Sequence, residues 1–275
     1  MNKIWLVTGI SSGLGKALTE VIMAKGDFLI GSFRNPAQTN EFNSLHGNKA
    51  FAVTMDIAQP AQVQAAVDTI LQKFGKMDVL VNNAGYGFAG AVEETVDAEV
   101  RSVFNTNFFG TLQLTQALLP TFRKQGSGHI IQKSSHGGFK AFAGFGIYNA
   151  SKFALEGMSE ALAQEVAPLG IKLTIVQPGP FRTGFAGSSF VLAKHEIDDY
   201  KPTAGLFRER IKGVDGKQEG DPAKAAQAIY DIVQLPQPPL RLPLGKVALG
   251  TITSKLESVQ NDLNTYRHIA ESVVF

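Results

Sequence analysis

A four-residue apolar run, Ile4-Trp5-Leu6-Val7, passes without a linker into Thr8-Gly9-Ile10-Ser11-Ser12-Gly13-Leu14-Gly15, and a helical pattern follows from Lys16 to about Lys25. A strand that turns through glycines into a helix makes a phosphate site. Glycine lets the backbone approach a pyrophosphate, and the helix start offers free N–H groups at the positive end of its dipole. The spacing is G-x-x-x-G-x-G rather than G-x-G-x-x-G, so it matches the general dinucleotide fingerprint only loosely. A glycine-rich turn without a ligand is the plainer alternative.

The same alternation continues along the chain. Phe28–Phe33, Phe51–Thr54, Val79–Val81, His129–Ser134 and Lys172–Val176 read as further strands, several of them wholly apolar. Between them lie helical patterns over Pro60–Phe74, Val96–Lys124 (broken near Pro120) and Tyr148–Val166. Asp221-Pro222 starts another helix that runs to about Val233, residues Pro236 to Pro243 stop it, and a last helix covers Thr253 to Ala270. Strands that alternate with helices at this spacing predict a doubly wound parallel sheet with helices on both faces. No linker or repeat divides the chain, so residues 1–275 read as one α/β domain. Residues 184–220 are less periodic, mix aromatics with charges and follow strand six, where such sheets bind ligands. They read as a substrate lid within that domain.

Bulk properties narrow the function. Hydrophobic residues make up 44% and the net charge is +2, which suits a globular protein and gives no reason to invoke nucleic acid or an anionic membrane. There are no cysteines, which excludes disulfides and thiolate chemistry. The apolar start is too short for a secretory segment, no stretch reaches membrane-spanning length, and a cytoplasmic enzyme is the expectation. The five histidines show no ligand-like spacing, so no metal site is expected.

Tyr148 and Lys152 stand four apart on one helix face. A phenol, with a reference pKa of about 10, is a poor acid-base group at neutral pH, and a fixed ammonium beside it favours the phenolate. Alone, such a pair is more often a solvated helix face. The second strand ends at Arg34, and no Asp or Glu occurs between Phe28 and Asn40. A site for NAD usually carries a carboxylate there to hold the ribose 2′-hydroxyl, whereas a 2′-phosphate takes an Arg. NADP(H) is therefore the expected cofactor and NAD(H) the alternative.

Several spaced motifs occur in one order: Thr8-Gly9-x-x-x-Gly13-x-Gly15, Asp56, Asn82-Asn83-Ala84-Gly85, Asn107, Ser135, Tyr148-x-x-x-Lys152 and Pro178-Gly179. From Ile4 to about Thr183 the chain resembles the short-chain dehydrogenase/reductase family. The resemblance implies a Rossmann-type fold and an oxidoreductase that interconverts an alcohol and a carbonyl compound. It implies that Tyr148 exchanges the proton of the alcohol oxygen. Lys152 would lower the Tyr148 pKa and hold the nicotinamide ribose, Ser135 would hydrogen-bond the developing alkoxide, and Asn107 would hold a relaying water. The cofactor would lie along Gly9, Ser11, Ser12, Gly13, Leu14, Gly15, Arg34, Asp56, Ile57, Asn83, Ala84, Gly85, Pro178, Gly179 and Thr183, with Asp56 at the adenine. A non-catalytic NADP(H) sensor of the same fold is the rival reading.

Lys133 departs from the family resemblance, since most members carry an apolar residue there. It could snorkel, pair with an acid or mark a site adapted to an unusual ligand. Loop-borne Phe139, Phe142, Phe145, Phe181, Phe185 and Phe190, with Val191 and Leu192, predict a mainly apolar carbonyl or alcohol substrate. Arg182 and Lys194 lie in the same covering segment and are the residues there that could hold an anion instead. Apolar residues beyond one stripe on Val96–Lys124 and Tyr148–Val166 predict a homodimer or homotetramer, and the resemblance implies pairing through these same helices.

Overall fold

The computed structural model describes residues 2–187 and 189–275; Met1, before the first strand, and Ser188, inside the expected lid, lie outside the described residues. Seven parallel strands form one sheet in the order β3-β2-β1-β4-β6-β7-β9: β1 Ile4–Val7, β2 Phe28–Phe33, β3 Ala50–Thr54, β4 Val79–Asn82, β6 Gly128–Lys133, β7 Ile171–Pro178 and β9 Arg241–Leu244. The chain leaves β1 toward β2 and β3, then returns past β1 to β4. The carboxyl ends of β1 and β4 thus flank the point where strand order reverses, and a crevice opens there.

Both faces of the sheet are buried, and alternation along each strand divides the core. Trp5, Val7, Val81, Ile131 and Val176 pack on one side with α1 (Gly13–Ala24) and α8 (Pro222–Val233). Leu6, Leu80, Ile130 and Ile175 pack on the other with α3 (Pro60–Phe74), α5 (Gly110–Gln125) and α6 (Gly146–Val166). Each fully buried aliphatic side chain contributes roughly 1.5–3 kcal/mol, so register errors that flip a strand are strongly disfavoured.

Several elements escape the sequence pattern. Helix α2 (Pro36–His46) buries only Thr39 and Phe42, too few for a clear apolar stripe; it is set by Pro36 and by Asn35, whose Oδ1 accepts from the Ala37 N–H at 2.9 Å. Strand β9 contains Pro243, which reads as a breaker but is tolerated on an edge strand. Gly87–Ala89, too short and Gly-rich to show a strand pattern, forms β5, which pairs in parallel with β8 (Phe190–Leu192) in a separate two-stranded sheet. The expected break at Pro120 is absent. Pro120 sits inside α5, and the irregularity lies earlier, where a π turn over Asn105–Phe109 joins α4 (Asp97–Phe104) to α5. Such turns insert one wide loop into a helix and often occur where a side chain must be re-aimed. The last helix, α9, starts earlier than expected and spans Lys246–Glu271. None of the helices among the described residues is long and apolar enough to cross a membrane.

Candidate active site

The glycine turn is built by the backbone and held by Asn83. Its Nδ2 donates to the Thr8 carbonyl at 2.7 Å and to that of Gly9 at 3.0 Å, while the Asn83 and Ala84 N–H groups both donate to Thr8 Oγ1 at 2.9 Å. Gly9 has φ +68°, which side-chain-bearing residues rarely adopt, and stands close against Ala84. A Cβ at Gly15 would run into Asn83 and the Gly9 carbonyl. Ser12 caps α1 without a side-chain bond, so the first N–H groups of that helix lack an internal partner and face the cleft.

From this turn a cavity of about 1310 Å³ extends along the carboxyl edge of the sheet. Gly9, Ser11, Ser12, Gly13, Leu14, Arg34, Asp56, Ile57, Asn83, Ala84, Gly85, Ser135, Tyr148, Pro178, Gly179 and Thr183 all line it. Gly15, Asn107 and Lys152 stand behind the wall instead. Gly15 serves the packing of α1 on the turn. Arg34 is exposed at the rim and has no ion pair among the described residues. Asp56 already accepts from the Ala58 N–H at 2.9 Å through Oδ1, which closes a strand-end turn.

Tyr148 and Lys152 come from the first turns of α6 and are both buried. Lys152 Nζ donates to the Lys133 carbonyl at 3.0 Å and lies 5.9 Å from the centre of the Tyr148 ring. Burial lowers the Lys152 pKa to about 7; the charge of Lys133 adds to that and Glu156 opposes it. Burial pushes the Tyr148 phenol up to about 12, against a hydrogen bond from Ser135. Desolvation outweighs that bond, and the phenol is held neutral.

Ser135 is kept in place by the Gly137 N–H, which donates to its Oγ at 3.0 Å. Asn107, on the π turn, uses its whole amide: Nδ2 donates to the Tyr86 carbonyl at 3.0 Å and to Ser151 Oγ at 3.2 Å, and Oδ1 accepts from the Tyr86 N–H at 3.1 Å. Lys133 is half-buried, its side chain lines the cleft, and it forms no ion pair among the described residues. Its pKa is lowered to about 8 by burial. Pairing with an acid is thereby excluded as its reason for being there.

The far end of the cleft is aromatic. Phe145 stacks on Tyr148 with ring centres 4.2 Å apart, and Phe185 stands edge-on to Tyr148 at 5.9 Å. Phe142, Phe181, Val191 and Phe207 also line the cavity. Phe190 packs behind Phe145 and Phe185, and Phe139 lies under the Arg241 guanidinium, so neither reaches the cleft. Arg182 turns away, donating from Nε to the Gln218 carbonyl at 3.2 Å, whereas Lys194 does line the cavity.

Sequence reading missed the clamp that holds this end. Glu94 is fully buried and accepts from Ala91 N–H at 2.7 Å, from Ile197 N–H at 2.9 Å and from Arg208, itself buried. Arg208 sits on α7 (Leu206–Val214), whose Phe207, Arg210, Ile211 and Val214 face the cleft. That spacing of three, four and seven is a helical signal within residues 184–220 and could have located α7. Nothing local announces a pair separated by 114 residues.

The family model described as short chain dehydrogenase matches residues 3–191. Oxidoreductase BOA17 of Botryotinia fuckeliana is 39% identical over 250 residues, covering 90% of this chain and 91% of the relative. The 3-ketodihydrosphingosine reductase of Bacteroides thetaiotaomicron is 38% identical over 246 residues, covering 88% of each. A short-chain dehydrogenase from Streptomyces avermitilis superposes with TM-score 0.94 at 40% identity over 100% of both chains. ElxO, solved with NADP bound, superposes with TM-score 0.74 at 25% identity, over 91% of this chain and 100% of its own. A 3-ketoacyl-(acyl-carrier-protein) reductase from Brucella melitensis, solved with NADH, gives 0.74 at 26% identity, over 88% and 96%.

Proposed function

The chain belongs to the short-chain dehydrogenase family, and from that membership we propose that it is an NADP(H)-dependent oxidoreductase interconverting a secondary alcohol and a ketone or aldehyde on a mainly apolar small molecule. One observation carries the reading. Unpartnered N–H groups of a helix start and the Ser135–Tyr148 pair open onto one continuous cleft. The donors fit a pyrophosphate at one end and a carbonyl oxygen at the other. The nicotinamide supplies or takes the hydride when bound.

The protein's own residues then divide the work. Tyr148, neutral at pH 7, is ready to give its proton to a carbonyl oxygen as charge develops there. Ser135 donates a second hydrogen bond to that oxygen. Lys152, with a pKa brought near neutrality, can return a proton to Tyr148 between turnovers. Asn107 acts here as a positioning residue: it fixes the Tyr86 backbone that adjoins Gly85 and Lys152. Arg34 would meet the 2′-phosphate. Residues 184–220 would serve as the lid, with the phenylalanines giving the substrate end its apolar character. The half-exposed Phe104, Phe108 and Leu112, with Phe109 and Phe153 at 46% and 42% exposure, would bury against a second copy.

The test is nucleotide oxidation against a panel of aldehydes, ketones and matched keto acids, with NADPH and NADH in parallel. Turnover on apolar carbonyls with NADPH is expected. Turnover with NADH alone would move the assignment to NAD(H), a preference for keto acids would refute the apolar substrate, and binding without turnover on any of them would make the protein a sensor.

A further inference from the structure

Helix α9 is about 39 Å long at 1.5 Å per residue. Its base is fastened to the active-site loop: Thr251 Oγ1 lies 3.2 Å from His136 Nδ1, and Lys140 Nζ donates to Ser254 Oγ at 2.9 Å. Beyond Lys255 every residue of the helix is exposed. That part of the helix gains nothing from packing on its own body, the usual source of helical stability in proteins.

Its apolar residues are nevertheless arranged. Leu249, Ile252, Leu256, Val259, Leu263, Tyr266 and Ala270 follow one another in steps of three, four, three, four, three and four. That is an uninterrupted heptad seam, with a period of 3.5 rather than 3.6 residues, the pattern of a helix that pairs with another helix. Leu256, Leu263 and Tyr266 on it are 55%, 60% and 58% exposed. The charges beside the seam are self-complementary. Asp262 would face Arg267 of a second copy aligned parallel, or Lys255 of one aligned antiparallel. The helix carries three basic residues (Lys246, Lys255, Arg267) and three acidic ones (Glu257, Asp262, Glu271), so it lacks the basic excess that draws amphipathic helices to anionic lipid.

We propose that the α9 seam pairs with α9 of a second copy of this chain, forming an interface separate from the α4–α6 patch. With both interfaces in use the assembly is a tetramer.

The double variant Leu256→Glu/Leu263→Glu tests this by light scattering at tens of micromolar, against the unaltered chain and Phe109→Glu/Phe153→Glu. The seam variant is expected to halve the assembled mass while keeping its nucleotide affinity, because both side chains lie on the exposed part of α9, away from the cleft. The chain has no cysteine of its own. Leu263→Cys should therefore cross-link by oxidation if the helices run parallel, and Leu256→Cys/Val259→Cys if they run antiparallel. Unchanged mass together with no cross-link in either variant overturns the proposal. So does flotation of the unaltered chain with phosphatidylcholine vesicles that is lost in the seam variant while the mass stays the same, since lipid would then be the occupant.

Discussion

The two ends of the cleft are made of different material. At the nucleotide end the working groups are backbone N–H donors and glycines, fixed by contacts among β1, β4 and the turn between β1 and α1. At the substrate end they are side chains from four separate segments, gathered around Phe145 and held by one buried ion pair. The first is specified locally and tolerates little substitution. The second depends on a few distant contacts, so its shape can be altered or released without disturbing the first. Tyr148 and Lys152 stand at the boundary and answer to both.

The largest expected effect follows from the clamp. Glu94→Ala leaves the buried Arg208 with only the exposed Glu196 carboxylate, 3.7 Å away, and deprives the Ala91 and Ile197 N–H groups of their acceptor; breaking a buried pair costs about 3–5 kcal/mol. Limited proteolysis should show faster cleavage within residues 184–220, while NADPH affinity stays within a factor of about two. Equal loss of nucleotide binding would mean that the two ends are not separable.

The boundary has its own signature. Lys152 has a pKa near 7 in the folded chain and an ordinary value near 10.5 when unfolded. Between those values the unfolded state holds a proton that the folded state lacks, so stability rises with pH. From pH 7 to 9.5 this one group should contribute about 3 kcal/mol of increase. Denaturant titrations of the nucleotide-free protein across that window should show the rise, and Lys152→Met should reduce it to the smaller, later rise that Lys133, with a pKa near 8, supplies. A fall in stability over the same window would contradict the burial of the ammonium.

These differences also explain what could be read in advance. The glycine turn, the parallel sheet, the helix of Tyr148 and Lys152 and the cap at Asp221-Pro222 are all visible in the chain. Each depends on residues close in sequence or on a short apolar period. Helix α2 was hidden because it floats on two buried side chains, and β9 because Pro243 is a breaker everywhere except at a sheet edge. The π turn at Asn107 carries no breaker residue, whereas Pro120, the conspicuous breaker, continues its helix. The neutral state of Tyr148 depends on burial, and no spacing of residues reports how much water a fold excludes. The Glu94–Arg208 clamp joins residues whose local sequence is unremarkable for each.

Smaller effects sharpen the contrast. Arg34→Ala should weaken NADPH about tenfold, equivalent to about 1.4 kcal/mol, and leave NADH binding nearly unchanged in fluorescence titrations. Parallel loss of both nucleotides would show that Arg34 does not contact the phosphate. Lys133→Met removes the neighbouring charge that depresses Lys152. The Lys152 pKa should rise modestly, and with it the rise in stability should begin at higher pH. No shift would mean that the two ammonium groups do not sense each other.

The central claim is that Tyr148 transfers the proton in a cleft that holds the nucleotide independently of it. The direct measurement compares Tyr148→Phe with the unaltered protein, recording NADPH dissociation constant and single-turnover carbonyl reduction on the same samples. General acid catalysis contributes about 10²–10⁴ in rate. The account predicts loss of that size in the chemical step with nucleotide affinity unchanged. A variant that retains most of its rate, or that loses nucleotide binding in proportion, contradicts it.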